Sequence, residues 1–132
     1  MKYLTIVALS ILLTGCMGCQ DVVLPTQDNK VIVATSENWC EVINEDKAIV
    51  DFWADWCKPC GKLAPILEQL AKDNPEIKIY KLDIDDEREI YSRYKNIGIP
   101  MVIYFIKGQA EFTIMGLKTL EYYQDCIDMF FE

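Results

Sequence analysis

The chain has 132 residues, enough for one domain with a workable core, and 52% of them are apolar. Its formal charge is −8 and it shows no basic patch, which argues against a nucleic-acid partner. Six cysteines occur with no histidine, so a zinc site would lack its commonest nitrogen ligand.

Residues 1–15 read as a secretory signal. Lys2 is a short positive region, and residues 3–13 are apolar except for Thr5 and Ser10, too short a run to remain as a bilayer-spanning helix. Leu13-Thr14-Gly15-Cys16 resembles the lipobox of bacterial lipoproteins, in which the cysteine is lipidated and becomes the first mature residue. A plain signal peptide or a buried N-terminal strand are the alternatives. Residues 16–29 carry Cys16, Cys19 and Pro25 without sustained periodicity and read as a tether, which leaves 30–132 as the folded domain. The expected location is outside the cytoplasm, as a membrane-anchored lipoprotein facing the periplasm or cell exterior; a soluble periplasmic protein is the alternative.

Within the domain, residues 31–34 predict a first strand. Ser36 is a candidate N-cap for a helix running to Asn44 with Trp39, Val42 and Ile43 on its apolar face. Residues 48–53 form an apolar run broken only by Asp51, the pattern of a strand buried on both faces. Leu63, Ile66, Leu67, Leu70 and Ala71 recur at helical spacing, with Pro65 expected to kink the helix and Asn74-Pro75 to stop it. A strand over 77–83 and a helix over 86–95 follow. Residues 101–106 and 110–115 flank Lys107-Gly108-Gln109 as a hairpin, and the last helix places Leu120, Tyr123, Ile127, Phe130 and Phe131 on one face. The order is βαβαβαββα.

Trp56-Cys57-Lys58-Pro59-Cys60 lies at the junction of the second strand and the second helix. A thiol at a helix N-terminus is held toward the thiolate by the helix amides and macrodipole, and the thiolate is the nucleophile in disulfide exchange. A second thiol one turn on can resolve a mixed disulfide. Half of a zinc site and a pair of structural thiols are the competing readings; no second pair or histidine in the domain completes the first. Lys58 places a positive charge next to Cys57, and Pro59 costs the first helical turn little.

The segment from Val50 through Cys60, then Ala64-Pro65-Ile66-Leu67, Lys81-Leu82-Asp83-Ile84-Asp85, Ile99-Pro100, Lys107-Gly108-Gln109 and Gly116 resembles the thioredoxin family, collinearly from about Lys30 to the C-terminus. The resemblance implies an α/β thioredoxin fold, a central mixed sheet with helices on both faces. It also implies a thiol–disulfide oxidoreductase that reduces protein disulfides, with Cys57 as nucleophile, Cys60 as resolving thiol and no cofactor beyond their own disulfide. Asp51 matches the family's buried acid, expected to have a raised pKa and to help Cys60 lose its proton, with Lys81 near it. Ile99-Pro100 matches a cis-proline that, with an exposed Trp56, meets the substrate; Trp53 is expected to pack as core beneath the site. Lys58-Pro59 stands where thioredoxins usually carry Gly-Pro, and the intervening pair tunes redox poise. A disulfide oxidase or isomerase and a non-catalytic adaptor subunit are the alternatives. The implied partners are disulfide-containing proteins and a membrane electron donor for re-reduction, the chain itself being a monomer without a metal. Cys40 and Cys126 read as structural, on helices of opposite faces and so unable to bridge.

Overall fold

The computed structural model describes residues 30–94 and 97–131. In chain order the elements are β1 (Ile32–Val33), α1 (Trp39–Asn44), β2 (Lys47–Trp53), α2 (Lys58–Asp73), β3 (Lys78–Asp83), α3 (Arg88–Ser92), β4 (Met101–Ile106), β5 (Gln109–Met115) and α4 (Leu120–Phe130). The strands form one mixed sheet in the order β1-β3-β2-β4-β5. β1, β3 and β2 run parallel, and β4 and β5 run antiparallel to their neighbours.

This order explains the apolar run of β2, where Ala48 through Phe52 are all buried. The strand is central, so side chains on both faces meet a helical layer. On one face Ile49, Val102 and Tyr104 pack with Leu63, Leu67 and Leu70 of α2 and with Tyr123 and Ile127 of α4. On the other, Val50, Phe52 and Phe105 pack with Trp39 and Val42 of α1 and with Ile90 and Tyr91 of α3. The expected α/β thioredoxin architecture is therefore present. Cys40 on α1 is exposed and Cys126 on α4 is buried in the opposite layer, and both are free thiols.

Several boundaries differ from the sequence reading for local reasons. Ser36 does not cap α1. The cap is Asn38, whose side chain is taken up by the preceding loop: it accepts from the Thr35 amide at 2.7 Å and donates to the Val33 carbonyl at 2.8 Å. The helix expected over 86–95 is shorter, because Glu87 is its N-cap and the regular turn ends at Ser92; Lys95 lies outside the described residues. The β4–β5 turn is Lys107-Gly108 alone, with φ of 49° and 76°. Two positive φ values define the tight hairpin turn that matches strand twist, so Gln109 already belongs to β5. Thr119 caps α4 by accepting from the Tyr122 amide at 3.2 Å.

Candidate active site

β2 ends at Trp53 and a short loop delivers Cys57 to the N-cap of α2, where its sulfur accepts from the Cys60 amide at 3.3 Å. Lys58 and Pro59 fill the first two helical positions, both exposed, with the proline where a missing N–H costs nothing. Cys57 and Cys60 are joined in a disulfide with Cα atoms 5.3 Å apart, and both residues are buried. The structure is thus the oxidised form.

Asp51 lies on β2 directly across from Lys81 of β3 in the parallel register. It is 4% exposed, and its Oδ1 has no hydrogen-bond partner among the described residues. A carboxylate so placed loses its hydration without replacement. Burial therefore pushes the Asp51 pKa up from 3.8 to about 7, with Lys81 pulling in the opposite direction. Lys81 also holds its ammonium 5.5 Å from the centre of the Trp53 ring.

Asp51, Lys81, Cys57 and Cys60 share a cleft of about 300 Å³. Lys30, Asp55 and the α2 residues Gly61, Ala64 and Glu68 also line it. Trp53 corrects an expectation: it is half-buried and lines this cleft instead of joining either core layer, since the two cores end where β2 emerges from the sheet.

The Ile99–Pro100 peptide is cis and leads straight into β4, whose Met101 pairs with Phe52. The proline is thereby set beside the end of β2 that feeds the cysteines. Its carbonyl accepts from the Gly116 amide at 2.9 Å. Trp56 is 65% exposed, and its indole N–H donates to Asp85 Oδ2 at 2.8 Å. Asp85 is a site residue that the sequence pattern does not distinguish beyond its place in the Lys81–Asp85 motif. Cys16 lies outside the described residues, and so does its expected lipidation.

A disulfide at a helix N-terminus, sharing one cleft with a buried acid, is the arrangement of a thiol–disulfide exchange site. The Thioredoxin family model matches residues 30–129, and the chain belongs to that family. It is 37% identical over 98 residues to a thioredoxin of Chlamydia pneumoniae, covering 74% of this chain and 96% of that one. It is also 37% identical over 91 residues to a chloroplastic M-type thioredoxin of Pisum sativum, covering 67% of this chain but only 53% of the longer plant protein. Among solved structures, a mutant thioredoxin from Halobacterium salinarum superposes with a TM-score of 0.74 at 27% identity, covering 79% of this chain and 93% of that one. The chain is accordingly a thioredoxin-type enzyme whose Cys57–Cys60 pair carries thiol–disulfide exchange with disulfide-containing proteins.

Proposed function

We propose that the chain is a membrane-tethered reductase of protein disulfides outside the cytoplasm. The observation that carries the catalytic reading is the buried Asp51, its Oδ1 without a hydrogen-bond partner among the described residues, in one cleft with the cysteine pair. Cys57, at the helix N-terminus, attacks the substrate disulfide, and Cys60 resolves the mixed disulfide after giving its proton to Asp51. Lys81 keeps Asp51 ionisable near neutral pH, and Lys58-Pro59 set the redox poise. Trp56, held by Asp85, and the Ile99-Pro100 backbone receive the substrate chain. The apolar run before Leu13-Thr14-Gly15-Cys16 supports export and lipidation at Cys16, with residues 16–29 as tether. A reductase in that compartment needs a membrane electron donor for re-reduction.

The test is the reduction potential of the Cys57–Cys60 couple in detergent-solubilised full chain, set against glutathione. A potential near that of thioredoxin, about −270 mV, supports a reductase; one near about −120 mV makes it an oxidant and removes the need for a donor. Metabolic labelling with a radioactive fatty acid, lost in Cys16→Ser, tests the anchor. Label absent from the parent chain rejects it.

A further inference from the structure

Two buried tyrosine hydroxyls, one from each helical layer, hold the backbone on either side of Ile99-Pro100. Tyr91 of α3 packs in the layer with α1, its ring centred 5.8 Å from that of Phe52, and its hydroxyl donates to the Gly98 carbonyl at 3.3 Å. Tyr123 of α4 is fully buried in the opposite layer, and its hydroxyl donates to the Gly116 carbonyl at 3.4 Å. The Gly116 amide in turn donates to the Pro100 carbonyl at 2.9 Å. The carbonyl that precedes Ile99-Pro100 and the carbonyl that ends it are therefore both tied back to the core. Gly98 and Gly116 have φ of 137° and 75° and carry no side chain that packing could use to fix them. The two hydroxyl bonds are longer than the usual O–H···O distance and add little to stability, which makes a positioning role separable from a structural one. Burial pushes the Tyr123 hydroxyl pKa up to about 12, so it stays a donor at neutral pH.

We propose that Tyr91 and Tyr123 are positioning residues that set the Ile99 backbone to receive an extended substrate chain. The proposal rests on the reading of the Ile99-Pro100 backbone as the seat of that chain. The Gly98 carbonyl and the Ile99 N–H belong to one planar trans peptide unit and point in opposite directions, so holding the oxygen aims the N–H. Holding the Pro100 carbonyl through Gly116 fixes the other end of the segment. The Ile99 N–H and carbonyl between these anchors then keep one orientation. In the exchange that follows, the Cys57 thiolate bonds to a substrate sulfur, the substrate S–S bond breaks, and the other sulfur leaves as a thiolate with the electron pair. Neither hydroxyl takes part in that step.

Two peptides make the test, each with one cysteine joined through a disulfide to a chromogenic aryl thiol. They differ only in N-methylation of the residues flanking the cysteine, which removes amide donors that a paired strand needs. Reduced full chain in detergent is mixed with an excess of either peptide. Cys57 bonds to the peptide sulfur, and the aryl thiolate, the better leaving group, reports the rate of attack by its colour. The signal of Cys57→Ser, which keeps the exposed Cys40 thiol, is subtracted. The ratio of the two rates measures what backbone pairing contributes, and any loss of folded protein cancels from it. In the parent the unmodified peptide should react faster. Tyr91→Phe and Tyr123→Phe keep the rings and lose only the hydroxyls. Each should shrink the ratio by about twofold to tenfold, the range of one hydrogen bond, with the N-methylated peptide reacting as before. Tyr122→Phe, exposed and outside this network, should keep the parent ratio. A parental ratio in either of the first two variants, or an equal fall in Tyr122→Phe, overturns the proposal. A parent that reacts equally with both peptides is a separate failure: it rejects the Ile99-Pro100 backbone as the substrate seat, and the proposal falls with that reading.

Discussion

Replacing Asp51 by Asn should make the oxidised protein more stable at alkaline pH, by an amount that shrinks as pH falls. The folded-state pKa is about 7, raised by burial from an ordinary value of 3.8. Below the lower value both folded and unfolded chains carry the protonated acid, and the group costs nothing through ionisation. Between the two values the unfolded chain releases the proton and the folded chain keeps it, so the parent loses stability as pH rises. The full loss is reached above pH 7. A difference of roughly three pKa units at about 1.4 kcal/mol each corresponds to roughly 4 kcal/mol. Asn removes this ionisation but leaves a buried amide to satisfy, which offsets about 1–3 kcal/mol at every pH. The diagnostic is therefore the slope. Denaturant unfolding of oxidised parent and Asp51→Asn from pH 4 to pH 9 should show the stability difference growing in favour of the variant, mostly between about pH 4 and 7. Oxidised protein is needed because Cys57 and Cys60 do not titrate in the disulfide, and Cys40 and Cys126 contribute equally to both chains. A difference that stays flat across this range would mean Asp51 ionises in the folded protein as freely as in the unfolded one, and the electrostatic account of the site would fall with it.

Three further outcomes follow from the geometry. Cys60→Ser should accumulate a covalent adduct between Cys57 and a disulfide substrate, visible by intact mass and cleared by reductant; an adduct on Cys40 instead would move the nucleophile. Lys81→Met removes the cation that lowers the Asp51 pKa, so the pH dependence of the resolving step should shift upward, and a downward shift contradicts the assigned charge coupling. Gly108→Ala meets the Ile43 carbonyl oxygen 2.5 Å from the added Cβ at a positive φ of 76°. It should destabilise the fold by about 1–3 kcal/mol in urea melts, and a loss below a few tenths would show that the turn relaxes freely.

What the sequence disclosed and what it concealed divide along a physical line. The α2 stripe of Leu63, Leu67 and Leu70, the two-sided burial of β2 and the cysteine pair at a strand–helix junction are local patterns, set by a 3.6-residue period or by neighbours in the chain. The cis-proline is expected from the family resemblance alone, whereas Asp51 already stands out as the single acid in an apolar strand, and the resemblance adds its expected place beneath the cysteine pair. The N-cap of α1 falls at Asn38, two residues past Ser36, where the side chain bonds back to Thr35 and Val33, a loop arrangement that helical periodicity does not signal. Trp53, an aromatic residue at the end of a buried strand, has the composition of core, while its surroundings depend on where the sheet stops. The cleft itself was beyond a linear reading. Lys30, Asp51, Glu68 and Lys81 are scattered over some fifty positions, and only the β1-β3-β2 order with α2 laid over it gathers them. Asp51 shows why such a site persists. A leucine in its place would add apolar area to a central strand and remove a charge that burial disfavours, so stability alone gives no reason for an acid there. The same burial that makes Asp51 costly brings its proton affinity to the pH at which a thiol must be relieved of its proton. On the proposed reading of Asp51 as the base for Cys60, destabilisation and catalytic competence are two consequences of one desolvated carboxylate, and a variant that repairs the first should forfeit the second.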